Sequence, residues 1–155
     1  MKGIVNLVVL AVILSGTVSC GPDLLRRYDK PMTLEQAKTD IRFPLPASCS
    51  NIYYAVYGDW QAYVEVVRFQ AAVTDCIKHV DVVTAWDNAT YKRTNSYSRG
   101  SIKSVQHQGC AWLDPVAWFD PDKITNGIYA GQEGSHLPQM WIDEDRGLFY
   151  FRETD

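Results

Sequence analysis

The chain has 155 residues, of which 46% are hydrophobic and 21% charged, with a formal net charge of −3. That length supports one hydrophobic core, and the absence of repeats and low-complexity tracts argues against a solenoid or a disordered protein. The acidic balance argues against nucleic acid as a partner.

Residues 1–19 read as a secretory signal: a charge at Lys2, an apolar run from Ile4 to Leu14 broken by Asn6, then small residues at Gly16, Thr17 and Ser19. The run is too short to cross a bilayer as a permanent helix. Val18, Ser19 and Cys20 resemble the lipobox of bacterial lipoproteins, although Thr17 stands where leucine is usual. The resemblance implies that the Cys20 thiol is alkylated with diacylglycerol and that cleavage leaves Cys20 as the first mature residue. Two or three acyl chains, at about 0.8 kcal/mol per buried methylene, hold a domain on a membrane without spanning it. Gly21 in place of an aspartate implies the outer membrane, facing the periplasm. A second reading is a plain secreted protein whose Cys20 forms a disulfide.

Residues 20–32 contain GPDLLRRYDKP, which reads as a tether reaching some tens of ångströms at roughly 3.3 Å per extended residue. The single domain is then 33–155. Thr33 and Gln36 have capping-box spacing, predicting a short helix from Leu34 to about Ile41 that Pro44 and Pro46 follow. Residues 51–57 and 62–69 are rich in β-branched and aromatic side chains around a Gly58-Asp59 turn and predict a hairpin. Ile52, Tyr54 and Val56 share one face of it. Glu65 shares a face with Tyr63, Val67 and Phe69, which leaves the buried side of that strand ambiguous.

Thr74 or Asp75 caps a predicted helix running to about Ala85, with Val73, Cys76, Ile77, Val80, Val83 and Thr84 in one stripe. His79 falls at the edge of that stripe and reads as a surface side chain. Residues 87–110 read as a polar loop, and Asp120-Pro121 as a helical turn closed near Gly127. The terminal QMWIDEDRGLFYFRE predicts a second hairpin turning at Asp143 to Gly147. The fold class is therefore α+β: a small antiparallel sheet built from two hairpins and covered by one amphipathic helix.

Several constellations bear on chemistry. Lys92, Arg93, Arg99 and Lys103 form a basic stretch without a carboxylate, suited to anionic headgroups or glycan phosphates near a membrane. Four charges over the 26 residues from Asn88 to Leu113 make no dense cluster, and an ordinary solvated loop is the favoured explanation. Cys76 with His79 and His107 with Cys110 have spacing compatible with tetrahedral zinc or a cysteine–histidine nucleophile. Cys49 and Cys76 flank the first hairpin, and its topology favours a disulfide between them, with Cys76–Cys110 the second choice and no bridge the remaining alternative. Asp143, Glu144 and Asp145 suggest a calcium loop, but the glycine comes one residue early and a hairpin turn accounts for the stretch. Trp112, Trp118 and Phe119 sit in an irregular, proline-bearing segment and are the aromatic candidates for a binding surface.

The run IRFPLPASCSNIYYAVYGDW, ending its hairpin at Arg68-Phe69, resembles the start of the mature domain in small uncharacterised lipoproteins of environmental bacteria, as does the terminal hairpin. Cys49 replaces the small residue usual after Ser48. The resemblance implies a compartment and a style of fold, and no reaction, cofactor or ligand site. The expected function is therefore binding or shielding by a lipid-anchored envelope protein without a cofactor, its partners being the membrane and an envelope protein or glycan. A prophage-type exclusion or immunity lipoprotein is one variant. A metal-dependent or thiol enzyme using Cys76, His79, His107 and Cys110 is the alternative class.

Overall fold

The computed structural model describes residues 23–58, 63–92, 94, 97–102, 116–131 and 138–154. Within them the strands are β1 (Asp23–Arg27), β2 (Ser50–Gly58), β3 (Tyr63–Gln70), β4 (Ser98–Ser101), β5 (Gly127–Gly131), β6 (Gln139–Asp143) and β7 (Leu148–Thr154), with helices α1 (Leu34–Asp40) and α2 (Val73–Tyr91). They form one seven-stranded sheet, in the order β1-β2-β3-β7-β6-β5-β4, and every neighbouring pair is antiparallel. The class is α+β as expected, but the two predicted hairpins are the middle of a larger sheet, joined where β3 pairs along β7. A segment read as tether supplies an edge strand: Asp23 to Arg27 pair along β2.

α1 starts at the predicted capping box. The Gln36 N–H donates to the Thr33 hydroxyl at 3.2 Å and the Thr33 N–H donates to the Gln36 side-chain oxygen at 3.0 Å, so both helix-start donors are met. α2 departs from expectation twice. It begins at an Ala72 cap with no side-chain hydrogen bond, and it runs six residues past Ala85. Its buried residues include His79 and Asp87, so its inward face is turned from the stripe read off the sequence. Asp87 is buried because the Tyr97 hydroxyl donates to it at 3.0 Å.

Both sheet faces are covered. Beneath the helices, Ile52, Val67, Phe69, Phe149 and Phe151 pack with Ala37, Phe43, Cys76, Val80 and Val83. On the other face Ala55, Tyr57, Val66, Trp141 and Tyr150 pack with Val116, Phe119 and Ile124. Phe119 is thus a core residue, and the expectation of a one-sided sheet gives way to a three-layer arrangement. Phe119 meets Trp141 and Tyr150 edge-on, at ring separations of 6.1 and 5.6 Å.

The register defines two ends. Asp23 pairs with Gly58, Gly58 with Tyr63, and Val64 with Thr154, so these share one end. Gln70 pairs with Leu148, Leu148 with Asp143, and Asp143 with Gly127 at the other. α2 starts beside Gln70 and at 1.5 Å per residue returns about 28 Å, bringing Tyr91 to the first end.

The β6–β7 turn depends on Gly147, which has φ +63°. A Cβ there would also lie 2.6 Å from the Ala71 carbonyl oxygen, and the Ala71 N–H donates to the Gly147 carbonyl at 2.9 Å. Gly147→Ala is expected to lower the unfolding free energy by about 2 kcal/mol, from the left-handed backbone and the close approach. Urea denaturation measures it, and a loss within error of zero would mean that the turn rebuilds.

Candidate functional site

The least explained polar cluster lies on the face away from the helices, near the Gln70 end. Alternation along β3 puts Val64, Val66 and Arg68 on that face, and the register sets Arg68 opposite Tyr53 of β2 and Tyr150 of β7. The Arg68 guanidinium carbon sits 4.4 Å from the Tyr53 ring centroid. Its Nη1 donates to the Trp118 carbonyl at 3.0 Å, and the Trp118 ring lies 5.4 Å from that of Tyr53. All three side chains are half-buried. Among the described residues, the Nε of Arg68 and the indole N–H of Trp118 are buried without a hydrogen-bond partner. A buried unmet donor costs about 1–3 kcal/mol. Two in one cluster, one of them on a cation that no described carboxylate pairs, make a surface suited to an acceptor-bearing ligand.

Trp118 was legible as a candidate. Tyr53 and Arg68 were not chosen, although the signal was present: an arginine alternating with valines, facing a tyrosine across the predicted hairpin. Phe119 is buried and leaves the candidate surface. Trp112 lies outside the described residues.

On the helix side, near the opposite end, Glu65 and Glu153 are direct cross-strand neighbours. They are 2% and 5% exposed. Arg42, in the segment after α1, donates through Nη2 to Glu65 at 2.6 Å and to Glu153 at 2.8 Å, and through Nε to Glu65 at 3.0 Å. Its Nη1 donates to the Tyr91 hydroxyl at 3.3 Å. Burial pushes the Glu65 carboxyl above its usual range, and Arg42 opposes that by charge and hydrogen bonding. The knot resolves the ambiguity of β3: Glu65 lies on the covered side because a distant arginine meets it there.

Cys76 and His79 are both buried on α2. Burial pushes the Cys76 thiol up to about 11 and the His79 imidazole down to about 4. A nucleophilic or zinc-bound thiol needs a shift in the opposite direction. The His79 ring is enclosed by Phe43, Phe69 and Phe149, with centroids at 5.8, 5.3 and 5.1 Å, and its Nε2 has no partner among the described residues. It is therefore a core histidine rather than the surface side chain expected. It also borders a groove of about 360 Å³ between α2 and residues 44–48. No group of three or more metal-ligating side chains occurs among the described residues. His107 and Cys110 lie outside them.

The predicted Cys49–Cys76 bridge is not formed: both are buried free thiols. Asp143 is fully used by its own turn, accepting from the backbone N–H groups of Asp145 and Arg146 at 3.0 and 2.9 Å and from the Arg146 side chain. Of the basic stretch, Lys92 is the exposed left-handed C-cap of α2, and Arg99 is paired with Asp81. Arg93, Lys103 and Cys20 lie outside the described residues. No helix among the described residues is long and apolar enough to cross a membrane.

No family of known proteins matches the chain, and no curated protein and no solved structure matches it.

Proposed function

We propose that this is an exported bacterial envelope protein, held at the periplasmic side of the outer membrane by lipid on Cys20, that works by binding through Tyr53, Arg68 and Trp118. The observation that carries the binding reading is the pair of donors unmet among the described residues, one on Trp118 and one on an arginine that lies over the Tyr53 ring. A guanidinium held in that way matches a carboxylate or another acceptor-rich group on an envelope glycan or protein. Exclusion or immunity of the prophage type is one form such binding takes. A thiol enzyme is less well supported, because burial raises the Cys76 thiol and keeps the neighbouring imidazole neutral.

The test has two arms. Fatty acid is expected on Cys20 by mass spectrometry and to be lost in Cys20→Ala. The mature protein is expected to retain an envelope glycan or protein, with Arg68→Met weakening retention about tenfold, the worth of one charge-assisted hydrogen bond. Equal retention by Arg68→Met, or no retained partner at any salt concentration, rejects the patch.

A further inference from the structure

β1 fixes which end of the domain a lipid at Cys20 would hold against the membrane. We infer that the end bearing Gly58, Tyr63, Tyr91, Lys92 and Thr154 is a docking surface for the phospholipid bilayer, and that the Tyr53, Arg68 and Trp118 patch faces away from it. The inference rests on the proposed lipidation of Cys20 and adds an orientation to it.

The argument is first one of length. Asp23, the first residue of β1, pairs with Gly58. Cys20 precedes it by three residues, which span at most about 10 Å even fully extended. Strand β2 has nine residues and is about 30 Å long at 3.4 Å per residue. Turning the domain over would carry Asp23 the length of that strand from the bilayer, a gap that three residues cannot bridge. The long tether expected from the sequence is thus shortened to a link comparable to the headgroup layer.

The side chains at this end suit that neighbour. Tyr91 is one of two large apolar side chains that are exposed among the described residues. Lys92 follows it, also exposed, where α2 ends. A tyrosine beside a lysine is the pairing found where protein meets headgroups, the ring at the interface and the ammonium among phosphates. Of the described carboxylates here, Glu65 and Glu153 are buried beneath Arg42 and Asp40 is paired with Arg26, while Asp23 stands at the same end beside Gly58. Arg26 and Arg42 keep 54% and 39% of their side chains open to solvent.

The full lipoprotein, reconstituted in phosphatidylcholine vesicles containing phosphatidylglycerol, tests this with a benzoylphenylalanine photocrosslinker at Tyr91 or, separately, at Trp118. Crosslinks to phospholipid are expected from position 91 and not from position 118. Inserting about twelve glycine and serine residues between Pro22 and Asp23, enough for a flexible reach near 20 Å, is expected to reduce the difference without abolishing it, because the Tyr91 end still favours the headgroups. Its abolition by the insertion would overturn the docking surface and leave tether length as the sole cause. Crosslinking from position 118 equal to that from 91, in protein whose lipid on Cys20 is confirmed by mass spectrometry, overturns the orientation alone. Protein without lipid on Cys20 overturns the orientation together with the anchoring it rests on.

Discussion

Acidifying the protein from pH 6.5 to pH 4 is expected to remove about 3 kcal/mol of stability through His79 alone, because burial lowers its pKa from 6.5 to about 4. The sign follows from which state takes up the proton first. Between those values the unfolded chain binds a proton on this imidazole and the folded chain does not, so the stabilisation is complete above 6.5 and is lost as pH falls to about 4. Among the described residues none offsets a charge there: burial alone shifts the imidazole, and Phe43, Phe69 and Phe149 pack around the ring. Glu65 works in the opposite sense, since its raised pKa makes the folded state gain relative stability as acid is added. The measurement is therefore a difference. His79→Leu, of similar volume and with no polar atom to strand, is expected to be near neutral at pH 7 and to be more stable than the parent by about 3 kcal/mol at pH 4. Parallel pH–stability curves for the two proteins would mean that the imidazole finds a partner when charged.

Arg42→Met is expected to cost about 3 kcal/mol at neutral pH, because it leaves Glu65 and Glu153 facing each other, both buried and with their shared cation gone. The value is set at the low end for a broken buried pair because the Arg42 side chain is 39% exposed, and water relieves part of the loss. Two rescues distinguish this cause from lost packing. Protonating the carboxylates in mild acid should recover much of the loss, as should Glu65→Gln with Glu153→Gln in the same chain. Urea midpoints at unchanged slope report it. A loss under about 1 kcal/mol, or one that acid deepens, would show that the knot adds little to stability.

Elements whose signals are local were legible. The capping box at Thr33 and Gln36, the hairpin around residue 58 and the turn ending at Gly147 each carry their determinants within a few residues, and each forms. The sheet edges were not legible, for a physical reason. An edge strand pairs on one side only and tolerates charge, so DLLRR and SRGS lack the apolar alternation that marks an interior strand. β5, GIYAG, is short and bounded by glycines, and it reads as a turn until β6 lies beside it.

The site residues failed differently. His79 is buried because phenylalanines from the segment after α1, from β3 and from β7 converge on it, and no helical stripe encodes that. Arg42 meets carboxylates 23 and 111 residues away. Arg68 was visible as an arginine in a strand, but its stack on Tyr53 required the hairpin register. The exposed Lys92 and the candidate Trp118 needed no such knowledge, since helix ends and proline-bearing segments stay near the surface.

The position of β7 also constrains when this molecule can fold. The last strand of the chain lies next to β3, between the two halves of the sheet, so pairing residues 63–70 with 148–154 is the step that unites them. A chain threaded through a narrow channel from its N-terminus cannot take that step until residues 148–154 have passed. If the chain is exported as proposed, slow long-range closure favours its passage, because it delays the completed sheet until residues 148–154 have followed.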